Sequence, residues 1–142
     1  MKNTKVLSND VFPLIKETLN NKQAVSIKVT GNSMRPFLVH QKSIVTLLQS
    51  NTYKKYDIVL YENPQHKMVL HRIVKVHDNL IICGDALKNN EIIHKDNVYG
   101  KVIDINTNQK PIKMDTNFYK LKVRLWVTLK PFRRILLKLT RK

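Results

Sequence analysis

The chain has few of the residues that form covalent cross-links or sharp bends: of its 142 residues, one is cysteine and three are glycine. The single cysteine, Cys83, excludes an internal disulfide, so the cysteine content does not indicate an oxidising compartment. No run of about 18 apolar residues occurs, and the sequence therefore predicts no ordinary transmembrane helix. Because MKNTKVLSND has no apolar core, we expect no signal peptide or signal anchor there.

Acidic residues are also scarce. The chain has 10 Asp and Glu against 26 Lys and Arg, a formal net charge of +16. Such an excess favours an anionic partner, either nucleic acid or an anionic membrane surface. Nine of the cations lie within residues 118–142, which contain no acidic residue. The charge is therefore concentrated at one end of the chain.

Residues 1–108 have the pattern of a mainly β domain. Short segments rich in Val and Ile, several with alternating apolar residues, predict strands. They cover residues 24–30, 43–49, 56–62, 67–77, 80–85 and 97–104. Asp78 and Asn79 lie between two of them and predict a tight hairpin, so we expect a mostly antiparallel sheet. A short helix capped by Asn9 and Asp10 is predicted to cover it.

Residues 109–142 have a different pattern and form a predicted basic, helical tail. Apolar residues recur at 118, 121, 125, 129, 132, 136 and 139, at steps of three and four. Pro131 interrupts them, which predicts a kink or two consecutive helices. With Phe118, Trp126 and Phe132, this is the composition of an interfacial amphipathic helix.

We predict that residues 118–142 bind an anionic membrane surface. The alternative is that the helix packs on the β domain or on a partner subunit. Nucleic acid ranks third, because the aromatic residues follow the apolar stripe and do not form a stacking platform.

The segment GNSMRPFLVH, residues 31–40, places Ser33 directly after a predicted strand. Ser33 is either a turn residue or a nucleophile, and a serine nucleophile needs a neighbouring base. Of five histidines, His71 lies inside the predicted strand VLHRIV, on one face with Val69 and Ile73. A lone histidine on such a face is more often structural than catalytic. The histidines and Cys83 show no metal-ligand spacing, so we predict no metal or cofactor.

The segment CGDA places Asp85 after a glycine at the end of an apolar strand. Asp85 is either a turn residue or the acidic group that fixes the tautomer of a catalytic imidazole. Each of these features is weak alone, and the combination of serine, histidine and aspartate in one small β domain is more specific.

Five segments in order, GNSMRPFL, KYDIVLY, VLHRIV, CGDA and VYGKVI, resemble the core of the type I signal peptidase superfamily, which also contains the LexA-type self-cleaving repressors. The resemblance covers about residues 25–104 and implies a signal-peptidase-like antiparallel β fold. His71 stands where most bacterial members have lysine, as in the archaeal and endoplasmic-reticulum branch. The resemblance implies that Ser33 is the nucleophile, His71 the general base and Asp85 an acidic partner. It also offers Glu91 as a further acidic residue, with Asp96 as a weaker candidate.

Three departures from that family shape the functional prediction. Members usually carry an N-terminal membrane anchor, and here the basic tail is expected to replace it. Some relatives have a hydroxyl residue where this chain has Gly31, so the backbone N–H of Ser33 and the side chain of Asn32 are left to stabilise the oxyanion. With no visible export signal, we expect a peripheral or monotopic protein on the cytoplasmic face of a membrane.

The predicted function is that of a serine endopeptidase that removes a signal or leader peptide from a preprotein. An apolar peptide is expected to bind as an added strand against exposed residues beside the serine, with Met34, Pro36 and Phe37 in contact and Leu38 and Val39 also exposed. A histidine base predicts activity that rises with pH through about 6.5.

Two alternatives remain open. One is a non-catalytic peptidase-like module that docks on a membrane, a nucleic acid or a partner protein. The other is self-cleavage, as in LexA-type relatives. Self-cleavage is disfavoured because those relatives use a Ser-Lys pattern, and because we see no N-terminal DNA-binding region.

Overall fold

The computed structural model describes residues 11–140 and confirms the mainly β fold. Within these residues the strands are β1 (Val25–Lys28), β2 (Ser43–Leu48), β3 (Ile58–Glu62), β4 (Met68–Val76), β5 (Leu80–Cys83), β6 (Glu91–Ile93), β7 (Val98–Thr107) and β8 (Lys110–Ile112). The helices are α1 (Phe12–Asn20), α2 (Asn117–Thr128) and α3 (Arg133–Thr140). The strands form one antiparallel sheet in the order β1-β2-β7-β3-β4-β5-β6, and β8 pairs with β7.

Side chains that alternate along the strands divide the core into two clusters. Met68 and Leu70 of β4 belong to the first cluster, together with Ile15 and Leu19 of α1. Ile73 belongs to the second, which lies under β5 and β6. The N-terminal helix therefore covers the sheet, as the sequence predicted. The two faces of β4 are buried in different surroundings.

Two strands were missed by the sequence analysis. β6 and β8 have three residues each, too few to show an alternating pattern, and β8 contains Pro111. Both lie at an edge of the sheet, where proline is tolerated. β8 lies beyond residue 108, the predicted end of the β domain. The predicted cap at Asn9 and Asp10 lies outside the described residues, and the N-cap position of α1 is Val11, with no side-chain hydrogen bond.

The basic tail forms two consecutive helices, as the proline predicted. A 3-10 turn, Lys130–Phe132, separates α2 from α3 and contains Pro131. The N-cap Thr116 accepts a hydrogen bond from the backbone N–H of Tyr119 through Oγ1 at 3.2 Å. α2 packs on the β domain through Val123 and Trp126.

The opposite side of α2 and α3 carries a row of exposed apolar side chains, which we call the outer stripe. Its members are between 38% and 72% exposed: Phe118, Leu121, Leu125, Leu129, Phe132, Ile135 and Leu139. Six of these residues occupy positions of the predicted apolar pattern. The seventh predicted position, Leu136, is half-buried and does not belong to the outer stripe. The tail therefore packs on the domain through one face and exposes apolar side chains on the other. Within residues 11–140, no helix combines the length and apolar character needed to cross a bilayer.

Packing of α2 can be tested with two adjacent residues. Trp126 is 9% exposed and its Nε1 donates a 2.6 Å hydrogen bond to the carbonyl oxygen of Asp85, whereas Leu125 is 54% exposed. We expect Trp126→Ala to lower the free energy of unfolding by about 3–5 kcal/mol, as for other buried aromatic residues. Leu125→Ala should change it by about 0.5 kcal/mol or less. Urea unfolding followed by circular dichroism measures both. Equal effects of the two substitutions would show that α2 does not pack in this way.

Candidate active site

Ser33 lies on a turn that follows β1 and is anchored on its C-terminal side by buried residues. Gly31 has a φ of 89°, a left-handed conformation that favours glycine, and its N–H donates to Nδ1 of His40 at 2.7 Å. Met34 and Leu38 are 2% and 0% exposed and hold the turn in the first core cluster. Ser33 itself is half-buried. Ser33 can therefore be both a turn residue and a nucleophile, because the turn is anchored by buried residues and leaves the serine partly accessible.

A second loop, residues 84–87, supports the backbone of Ser33 from below. The N–H of Ala86 donates to the carbonyl oxygen of Ser33 at 2.9 Å. A Cβ atom on Gly84 would lie 2.7 Å from that same oxygen, which is too close for any other residue without a backbone shift. The glycine of the CGDA segment is therefore required by the close approach of the two loops.

Asp85 is buried in an ion pair with Arg72. Its two carboxylate oxygens accept from Nε and Nη2 of Arg72, each at 2.9 Å, and both side chains are 1% exposed. Nη1 of Arg72 donates to the carbonyl oxygen of Tyr56, also at 2.9 Å. The structure therefore differs from the prediction that Asp85 holds the imidazole of His71: the carboxylate is engaged by the neighbouring arginine. The sequence analysis missed Arg72, although it follows His71 directly.

His71 is instead held by Tyr61 and Glu91. Nδ1 of His71 lies 2.9 Å from the hydroxyl of Tyr61, and that hydroxyl donates to Oε2 of Glu91 at 3.1 Å. The single phenolic proton is used toward Glu91, so the phenolic oxygen accepts the Nδ1–H of His71. This leaves the lone pair on Nε2, the tautomer that a general base needs. Glu91, the further acidic residue suggested by the resemblance, thus reaches His71 through Tyr61, which the sequence analysis missed.

The protonation states of His71 and Tyr61 follow from the burial of their side chains. His71 is 5% exposed, and burial lowers its pKa from 6.5 to about 4. Burial, with the carboxylate of Glu91 beside it, raises the pKa of Tyr61 well above its ordinary range. At neutral pH the imidazole is therefore neutral and the phenol keeps its proton. The sequence-based expectation of an unperturbed histidine near pH 6.5 requires this correction.

A small cavity connects Ser33 with the strand that carries His71. It has a volume of about 190 Å³, and we call it the β4-edge cavity. Ser33, Met34 and residues 29–31 line one side, and residues 68–70 of β4 line the other. The ladder between β4 and β5 begins at Arg72, so within the described chain residues 68–71 pair with β3 alone. Ser33 therefore lies beside an open edge of β4.

The structure does not join Ser33 and His71 directly. Within residues 11–140, Ser33 Oγ and the imidazole form no hydrogen bond. His71 follows Leu70 on β4 and lies on the face of the second cluster, whereas Met34 packs with Leu70 in the first. Val69, on the same face of β4 as His71, lines the β4-edge cavity together with Ser33. The β4-edge cavity therefore contacts residues from both faces of β4, at the edge of the strand that is not paired with β5.

The remaining predicted residues have mixed surroundings. Asn32 is exposed beside Ser33. Met34 is one of the residues that line the β4-edge cavity, but its side chain is buried. Pro36 is half-buried, and the ring of Phe37 packs edge-on against Tyr119 and Trp126, with centroids 5.8 and 6.5 Å apart. Leu38 is fully buried. The expectation that Phe37 and Leu38 are exposed for substrate is therefore wrong, because α2 covers Phe37 and the core buries Leu38, while Val39 is half-buried.

The titration of His71 has a measurable effect on stability. As pH falls below 6.5, the unfolded chain binds a proton at His71, while the folded protein does so only near pH 4. Stability should therefore be lost between these values, by about 3 kcal/mol at pH 4 from this residue alone. We expect His71→Asn to remove this part of the pH dependence of urea unfolding. The matched control is His77, which is exposed and whose side chain forms no hydrogen bond or ion pair within residues 11–140. His77→Asn should leave the dependence in place, and an unchanged slope in His71→Asn would contradict the assignment.

Comparison with known proteins gives a family at a coarser level than the sequence resemblance. Residues 2–103 match the family model described as Peptidase S24-like, which lies in the superfamily of LexA and the signal peptidases. No curated protein matches the chain. The matched range contains Ser33, His71, Asp85 and Glu91 and ends before α2 begins. The chain therefore belongs to the Peptidase S24-like family.

Proposed function

We propose that the protein is a serine endopeptidase in which Ser33 is the nucleophile and His71 the general base. The observation that carries the proposal is the hydrogen-bonded chain from His71 Nδ1 through Tyr61 to Glu91. The chain fixes the tautomer in which Nε2 carries no proton, and burial keeps the imidazole neutral, so His71 is in the state that can accept the proton of a serine hydroxyl.

The open edge of β4 indicates how a substrate would bind. An extended peptide can pair with the free backbone of residues 68–71 as an added strand, and its side chains can enter the β4-edge cavity. Such a strand would pass Ser33, which lines the same cavity. We propose that binding of this strand brings Ser33 Oγ within hydrogen-bond distance of His71 Nε2, because catalytic hydrogen bonds often tighten only in the complex.

The proposed reaction then follows the acyl-enzyme route. As Ser33 Oγ forms a bond to the peptide carbonyl carbon, its proton moves to His71 Nε2. The backbone N–H of Ser33, which has no acceptor within residues 11–140, and the Asn32 side chain stabilise the oxyanion. The imidazolium returns the proton to the leaving amine as the C–N bond breaks. Water, deprotonated by His71, then releases the acid and restores the Ser33 hydroxyl.

The substrate class that we propose is the signal or leader segment of a preprotein close to a membrane. The outer stripe is bordered on α2 by the exposed cations Lys120, Lys122 and Arg124. Apolar side chains bordered by cations favour the interface of an anionic bilayer, where each cation contributes about 1 kcal/mol. This supports a peripheral enzyme on an anionic leaflet, such as the cytoplasmic one. Arg133 does not contribute to it, because its side chain is 1% exposed.

One further observation favours a second candidate function. Because Ser33 and His71 share no hydrogen bond in the described part of the chain, the fold can also serve as a non-catalytic module that binds an extended peptide at the β4 edge. This candidate needs the open edge and not the protonation state of His71. The two functions therefore make opposite predictions for substitutions at the serine.

Peptidase activity can be tested by comparing protein N-termini by mass spectrometry in the native host. We expect new N-termini with the wild type that are lost with Ser33→Ala and retained with Ser50→Ala, a serine on the loop after β2.

Tyr61→Phe should slow cleavage by part of the roughly 10²–10⁴-fold that general-base catalysis contributes, since the imidazole loses its orienting partner. Activity should rise with pH through about 4 rather than 6.5. N-termini identical in wild type and Ser33→Ala, with both proteins folded, would favour the binding module.

Membrane binding is tested by flotation with anionic and neutral vesicles. The wild type should float with anionic vesicles at low salt and lose binding at high salt. Replacing Phe118 and Leu121 by serine should weaken flotation without unfolding, because both side chains are more than half exposed. Ile92 is 71% exposed on β6 and is not a member of the outer stripe, so Ile92→Ser is the control. Equal flotation of the stripe variant and the wild type would contradict the proposal.

A further inference from the structure

A second cavity, larger than the first, opens on α3. Its volume is about 490 Å³, and we call it the cationic groove. The turn that carries Ser33 forms one wall, Ala86 and Leu87 contribute to the floor, and α3 forms the other wall. Ser33 lines both this groove and the β4-edge cavity. An extended chain that crosses Ser33 can therefore occupy both, on opposite sides of the bond to be cut.

Most of the surface of the groove is apolar, and its charged residues all have the same sign. Arg35, Arg134 and Lys138 are among the residues that line it, and none of those residues is acidic. Arg134 and Lys138 are four positions apart on α3, so they lie on the same face of the helix, where like charges repel. Two cations kept side by side along a concave surface are stabilised by an anionic occupant. The nearest acidic side chain of the floor loop, Asp85, is buried and paired with Arg72.

The wall formed by α3 is fixed with respect to Ser33. Arg133 is buried, and its Nη1 donates to the carbonyl oxygens of Gly84, at 3.2 Å, and Leu87, at 2.5 Å. The same loop supports the Ser33 backbone through the N–H of Ala86. The buried arginine thus attaches the helix to the loop beneath the candidate nucleophile. Arg134, the next residue, has its backbone held at a defined position along the groove.

We propose that α3 is part of the substrate-binding site, and that Arg35, Arg134 and Lys138 select peptides with an aspartate or glutamate close to the scissile bond. The proposal rests on the proposed peptidase function and names its substrate class. The acidic residue is expected on the side of the scissile bond opposite to the residues that enter the β4-edge cavity. Because α3 lies outside the residues matched by the family model, the family match does not itself imply this selectivity.

The test compares two charge reversals of equal size. Arg134→Glu with Lys138→Glu alters the groove, whereas Lys120→Glu with Arg124→Glu alters exposed cations of α2 with the same spacing and net charge change. Cleavage of a peptide library should show a preference for Asp or Glu at one position with the wild type and the α2 variant. In the groove variant, kcat/KM for acidic peptides should fall about 10-fold, and Lys or Arg should become favoured there. An unchanged preference in the groove variant would overturn the proposal.

A binding arm separates this proposal from the peptidase function. Ser33→Ala protein, with and without the groove substitutions, is titrated with two fluorescent peptide pools that differ only in Glu against Gln. We expect tighter binding of the Glu pool, lost in the groove variant, whether or not the wild type cleaves. If only cleavage is absent, the peptidase function fails and the acidic selectivity stands. If both pools bind equally, or if the groove substitutions reduce flotation with anionic vesicles and leave peptide discrimination unchanged, the cations do not serve a peptide.

Discussion

The ion pair between Arg72 and Asp85 connects the parts of the protein that surround Ser33. Arg72 extends from β4, Asp85 belongs to the loop after β5, and both side chains are almost completely buried. The guanidinium also lies over the ring of Phe37, 5.0 Å from its centroid, on the turn that carries Ser33. Removing one partner would leave an uncompensated buried charge, which typically costs about 3–5 kcal/mol. The position of the serine therefore depends on a charge pair that takes no part in the proposed chemistry.

Adjacent residues of β4 have separate tasks because strand side chains alternate between faces. Arg72 supports the loops beneath Ser33, whereas His71 points to the other face, toward Tyr61 and Glu91. The open edge of the strand, where pairing with β5 has not begun, is the place at which the two faces meet. A substrate strand at that edge would contact both environments. A short His-Arg pair can in this way serve both the structure and the proposed reaction.

The sequence predicted what depends on local pattern and failed where partners are distant in the chain. Alternation of Val and Ile placed the six longer strands, and Pro131 marked the break between α2 and α3. The partner of His71 could not be read in this way, because Tyr61 and Glu91 lie ten and twenty residues away on other strands. Asp85 was expected to face the imidazole because both occur in the resembled motifs, but Arg72 is the stronger partner for a buried carboxylate. The periodic apolar residues of the tail were found, but periodicity does not say which face is covered.

The two helices of the tail have a geometric consequence for any membrane-bound state. Their outer stripe and the wall of the cationic groove are parts of the same α2–α3 unit. The diameter of a helix with its side chains is about 10–12 Å. With the outer stripe in the headgroup region, α3 would act as a spacer that holds Ser33 roughly one helix diameter from the bilayer. The thickness of α3 would then set the distance between the point where a substrate enters the membrane and the bond that is cut. The position of a bond along the substrate, as well as the sequence around it, would decide whether it is cleaved.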